Sequence, residues 1–100
     1  MYTTIWHYRV APGRERDFEA YHGAAGPWVQ LFRRAKGFRD TVLLRDVERT
    51  DEYVTFDRWD SADDYARFRA EFRDEYARLD VAAEALTSLE RHIGGFDVIG

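Results

Sequence analysis

The chain has 100 residues, with Lys+Arg 15 against Asp+Glu 19 for a net charge of −4, and it contains no Cys. That length suits one domain, residues 1–100, with one core; the missing Cys excludes disulfides, thiolate metal sites and Cys nucleophiles. Arg interleaved with Asp and Glu leaves no basic block for nucleic acid, and no apolar run of about 18 residues or charged-then-apolar leader points to a membrane, so a soluble cytoplasmic domain is expected.

Residues 2–11, Y-T-T-I-W-H-Y-R-V-A, are β-branched and aromatic and read as a first strand ended by Pro12-Gly13. Trp6, Tyr8 and Val10 share one face, with Ile5, His7 and Arg9 on the other. A broken helix is predicted next, 14–24 and 27–35, bent at Gly26-Pro27, because Pro is accepted as the first residue of a helical segment and awkward inside one. Phe18, Tyr21, His22 and Ala25, then Trp28, Leu31, Phe32 and Ala35, keep one apolar face up to Gly37. Phe38–Val47 and Tyr53–Trp59 read as an antiparallel hairpin across a short polar turn.

The third strand alternates cleanly. Tyr53, Thr55, Asp57 and Trp59 fall on one face, and Val54, Phe56 and Arg58 on the other. Ser61 then caps a helix whose first turn holds Asp63 and Asp64. Tyr65, Phe68, Phe72, Tyr76 and Leu79 step by 3, 4, 4 and 3 and predict one amphipathic helix, which Ala82, Ala83 and Leu86 extend or follow with a short segment. Leu89–Ile99 reads as a fourth strand bent or bulged at Gly94-Gly95.

The order β-α-β-β-α-β favours an α+β, ferredoxin-like fold: a four-stranded antiparallel sheet with the helices on one face. The other sheet face would carry large apolar residues, and pairing through it into a dimeric α+β barrel is the simplest way to cover them. Aromatics make up 16% of the chain, more ring surface than a minimal core requires. That excess points to a pocket, a subunit interface, or an unusually aromatic core.

The residues alone specify no reaction. His7, His22 and His92 lack the spacing of a helical metal site, so no metal is expected. His22 and His7 are candidate acids or bases, weighed against core-edge histidines with one hydrogen bond. Asp57, on the face of Trp59, is an inward-pointing carboxylate, read first as half of a structural salt bridge. Nucleotide-binding loops and Ser nucleophile motifs are absent.

The segments V-A-P-G-R-E-x-x-F (Val10–Phe18), D-R-W-D-S (Asp57–Ser61) and Y-x-x-F-R (Tyr65–Arg69) make the chain resemble the antibiotic biosynthesis monooxygenase family. The resemblance implies a homodimeric barrel with one pocket per subunit between sheet and helices. It also implies cofactor-free oxidation of polycyclic phenols to quinones by O2, with Trp59 and Tyr65 at the matching site positions. Trp59, Tyr65, Trp28, Phe32 and Phe68 would form the walls, and Tyr8, Thr55, Asp57, His22 and His7 the polar groups. Thr55 stands where the monooxygenase pattern has an Asn, and Arg69 where the haem-degrading branch has a His, which argues against haem chemistry. An isomerase or cyclase using one histidine as base, and a non-catalytic dimeric binding or stress-response domain, are the alternatives.

Overall fold

Alternation in the third strand becomes an unequal pair of sheet faces. In a computed structural model describing residues 1–100, strand β3 (Glu52–Trp59) buries Tyr53, Thr55, Asp57 and Trp59, while Val54, Phe56 and Arg58 stay partly exposed. β3 lies between β2 (Phe38–Arg45) and β1 (Tyr2–Val10), and β4 (Thr87–Asp97) completes an antiparallel sheet of order β2-β3-β1-β4. Helices α1 (Glu15–His22), α2 (Pro27–Phe32), α3 (Ala62–Glu71) and α4 (Arg73–Ala83) cover the face carrying Asp57, and a 3-10 turn (Glu84–Leu86) leads into β4. This is the expected α+β, ferredoxin-like arrangement.

Register decides which side chains meet. Thr55 stands between Trp6 of β1 and Leu43 of β2, and Asp57 between Thr4 and Thr41. Above this inner face two apolar clusters form, one around Phe18 with Tyr8, Val10, Tyr53 and Leu86, the other around Trp59 with Trp28, Leu31, Phe32 and Phe68. Each large side chain buried this way contributes about 1.5–3 kcal/mol.

The helix breaks have different causes. Between α1 and α2, Gly26 packs against the carbonyls of Ala20 and Tyr21, where a Cβ would collide with the backbone, and Pro27 then starts α2. The single helix predicted through Leu79 is instead two, broken at Phe72 (φ −108°, ψ 27°). No Gly or Pro announces this break. The Phe72 N–H still bonds Phe68 O at 2.9 Å and its carbonyl accepts from Tyr76 N at 2.8 Å, so Phe72 itself keeps both backbone partners through the bend. The bend leaves α3 over Trp59 and carries α4 to α2, where Tyr76 meets Trp28 edge-on at 4.9 Å.

The predicted irregularity in β4 is a register shift opposite Ile5 and Trp6, next to Gly94 at φ 154°. Ser61 caps α3 as expected, accepting from Asp64 N at 3.1 Å. The face opposite the helices has no cover within the chain. Ile5, Val42, Val54 and Phe56 are half-buried there, and Leu44 and Leu89 are 45% and 42% exposed.

Candidate active site

Between the inner sheet face and the helices lies a cavity of about 30 Å³, room for one or two waters. Strands build its floor: Tyr8 and Trp6 from β1, Thr41 from β2, Thr55 and Asp57 from β3. Helices roof it with His22 of α1, Trp28 and Phe32 of α2, and Tyr76 of α4. Asp80 of α4 and Glu90 of β4 add carboxylates, and no Lys or Arg lines the space.

Asp57 is 8% exposed and accepts a 2.8 Å hydrogen bond from Thr41 Oγ1 on Oδ1. The salt bridge expected for it does not form. Arg58, its neighbour in sequence, points to the opposite sheet face by strand parity and grips Asp40 there with two hydrogen bonds. Burial therefore pushes the Asp57 carboxyl up to about 7, against the smaller opposing effect of the Thr41 hydroxyl.

The phenols and the imidazole beside it are neutral. Burial pushes the Tyr8 phenol well above its usual range; nearby Thr55 opposes this, while Asp57, Glu90 and Tyr76 reinforce it. Thr55 falls short of a hydrogen bond with that phenol, and its buried Oγ1 has no partner. Burial also raises the Tyr76 phenol. His22 stacks on Phe18 at 4.1 Å, and its Nδ1 lies 3.3 Å from Phe18 O. A carbonyl only accepts, so Nδ1 carries the proton and Nε2 the lone pair. Burial lowers His22 to about 4, with the Phe18 carbonyl opposing. Glu90 is raised by burial and then by Asp80 and Glu84.

Of the residues singled out from the sequence, Tyr8, His22, Trp28, Phe32, Thr55 and Asp57 converge on this cavity. Trp59, Tyr65 and Phe68 do not line it. Trp59 and Tyr65 do meet, at 5.5 Å between ring centres, but Trp59 is wholly buried among Phe32, Phe38 and Phe68 at 5.8, 5.2 and 5.1 Å. Phe38 arrives opposite Trp59 by the β2–β3 register and fills the space beside the ring that was expected to be a pocket wall. Tyr65 accepts a hydrogen bond from Arg69 at 3.1 Å on the exposed side of α3.

His7 lies on the uncovered sheet face, its Nε2 2.9 Å from Glu52 Oε1, and strand parity keeps it out of the cavity. His92 sits on the edge strand, its ring tilted against Trp6 at 4.6 Å with Nε2 2.8 Å from Thr4 Oγ1. The three histidines are thus separated, and no three His, Cys, Asp or Glu side chains form a metal-ligating group. Trp6, Thr41, Tyr76, Asp80 and Glu90 line the cavity without having been expected there from the sequence. Tyr76 shares the apolar face of Tyr65 and Phe68; Thr41 needed the hairpin register, and Asp80 and Glu90 the docking of α4 beside β4.

The site is thus an aromatic-walled cavity between the sheet and the helices of a ferredoxin-like α+β domain. The sequence matches the family described as antibiotic biosynthesis monooxygenase over residues 1–78, and the chain belongs to that family. No curated protein matches it. Among solved structures it is similar to SnoaB, a cofactor-independent oxygenase from Streptomyces nogalater, at 24% identity over 99% of this chain and 93% of that one, TM-score 0.75. A candidate antibiotic biosynthesis monooxygenase from Bordetella bronchiseptica aligns at 27% identity over 98% and 96% of the two chains, TM-score 0.70. One from Deinococcus radiodurans aligns at 10% identity over 100% and 94%, TM-score 0.78.

Proposed function

We propose that the protein is a homodimeric, cofactor-independent oxygenase that oxidises a small planar phenol with O2 in the cavity under α2 and α4. The carrying observation is the lining itself. Trp6, Tyr8, Trp28, Phe32 and Tyr76 offer ring faces and edges to a flat substrate, while Thr55 Oγ1 lacks a partner and the Asp57 carboxylate has only the Thr41 hydroxyl. For a substrate of the anthrone kind, one oxygen atom becomes the new carbonyl and the other leaves as water. The substrate supplies all four electrons. Family membership and the fold shared with a protein described as a cofactor-independent oxygenase support this reading.

Drug-sized ligands occupy pockets of about 300–1,000 Å³, so the cavity must widen to admit a fused ring system. Trp28 and Tyr76, in edge contact at 4.9 Å, are the side chains that must part, and the chain breaks beside their helices lie at Gly23–Gly26 and Phe72. A His22-based isomerase or cyclase fits less well, because a histidine held near 4 is a weak base at neutral pH. A purely apolar binding module would not need a buried carboxylate. Pairing of two chains through Ile5, Val42, Leu44, Val54 and Phe56 would cover the open sheet face.

The test is O2 consumption by purified protein, without added metal or cofactor, on anthrone and hydroxylated anthrones, with the quinone followed by absorbance. Uptake no faster than the buffer blank across that panel would overturn the oxygenase reading.

A further inference from the structure

Asp57 is the one carboxylate lining the cavity that is buried, and no ion pair neutralises it. It projects from the middle of β3 into the space between sheet and helices. Thr41 occupies Oδ1; Oδ2 accepts no hydrogen bond yet is not among the sealed, partnerless atoms, so it keeps access to the cavity. No cation faces it from any element. β1 presents the neutral Tyr8 phenol, β2 the Thr41 hydroxyl, α1 the neutral His22, α4 Tyr76 and Asp80, and β4 Glu90. Nothing there holds the carboxylate as a permanent anion.

We propose that Asp57 is the proton acceptor of the site: its carboxylate removes the acidic proton of the bound aromatic, from the phenolic O–H or from an activated ring C–H, and leaves an electron-rich anion in the cavity. The step balances without a co-reactant. The O–H or C–H bond breaks, its electron pair stays on the substrate, and the proton ends on Asp57. O2 then meets the anion rather than the neutral ring. A base works best when its ionisation lies near the working pH, and Asp57 at about 7 meets that condition, whereas His22 at about 4 does not. The proposal rests on the oxygenase reading for the substrate class only; proton removal is a separate event that can be followed without O2.

The experiment uses anthrone under nitrogen in deuterated buffer, with deuterium entry at its methylene carbon read by mass spectrometry across neutral pH. Wild-type protein should accelerate exchange over buffer, with a rate that rises through one ionisation near neutrality. Asp57→Asn, checked for folding by circular dichroism, should lower the exchange rate at least ~10²-fold and flatten that profile. Thr41→Val keeps the carboxylate but removes the hydroxyl that favours its anion, so its profile should move to higher pH, a shift that lost packing would not produce. If Asp57→Asn does not fold, the Thr41→Val shift decides. Exchange by wild type no faster than buffer, exchange unaffected by Asp57→Asn, or an unmoved Thr41→Val profile would overturn the proposal. O2 uptake measured in parallel separates the two readings: Asp57-dependent exchange without uptake keeps Asp57 and removes the oxygenase, and uptake with exchange indifferent to Asp57→Asn does the reverse.

Discussion

Replacing Asp57 with Asn should stabilise the protein at pH 8 and leave its stability unchanged near pH 4. An unfolded Asp ionises near 3.8, and the folded one at about 7 because burial opposes the charge. Between those values the native state binds more protons than the unfolded chain, so stability falls as pH rises through the window. A shift of about three units at 1.36 kcal/mol each sets a ceiling of about 4 kcal/mol, absent below about pH 4 and complete above about pH 7. Asn keeps an acceptor for Thr41 and carries no charge. His22 acts with the opposite sign. Its folded value of about 4 lies below the unfolded 6.5, so the unfolded chain binds more protons and stability rises with pH over the same window, by about 3 kcal/mol. The two slopes nearly cancel in the parent. Asp57→Asn should expose the rising limb and His22→Gln the falling one, while Glu90, common to all three proteins, cancels in the differences. Urea unfolding at fixed protein concentration from about pH 4 to 8 reads each curve. A stability difference between the parent and the Asp57→Asn variant that does not change with pH would refute the reasoning and return Asp57 to an ordinary, solvated or paired carboxylate.

Trp59→Phe keeps a ring among Phe32, Phe38 and Phe68 but loses area, at a cost of about 1–2 kcal/mol. Because Trp59 does not line the cavity, turnover per folded molecule should hold; a larger loss would put it back in the site. Sedimentation at micromolar concentration should give a mass near twice 11.8 kDa, and Phe56→Asp on the open face should give a folded monomer. A parent that sediments as a monomer would remove the dimer. Gly26→Ala forces a methyl against the Ala20 and Tyr21 carbonyls, so unfolding should come about 1–3 kcal/mol earlier and Trp28 fluorescence should shift; unaltered stability would contradict the close approach at that turn.

Residue order and spacing already contained the element order, the cap at Ser61, the turn at Gly26-Pro27 and the shared face of Thr55, Asp57 and Trp59. These are local matters: alternation, a side chain within reach of its own backbone, and the limits of Pro and Gly. The family resemblance was legible too, because its short segments sit at strand ends and helix starts. What Trp59 and Asp57 do there was decided elsewhere. Trp59 is sealed because β2 pairs with β3 so that Phe38 lies opposite it, and because α2 lays Phe32 on its ring. The bend at Phe72, marked by no breaking residue, carries Tyr76 and Asp80 over the sheet and closes the cavity. Burial pushes Asp57 up to about 7 and no cation lines the cavity to hold it down, a property of the whole surrounding shell. Periodicity places a side chain on a face; only the packing of distant segments determines whether that face meets solvent, a ring or a charge.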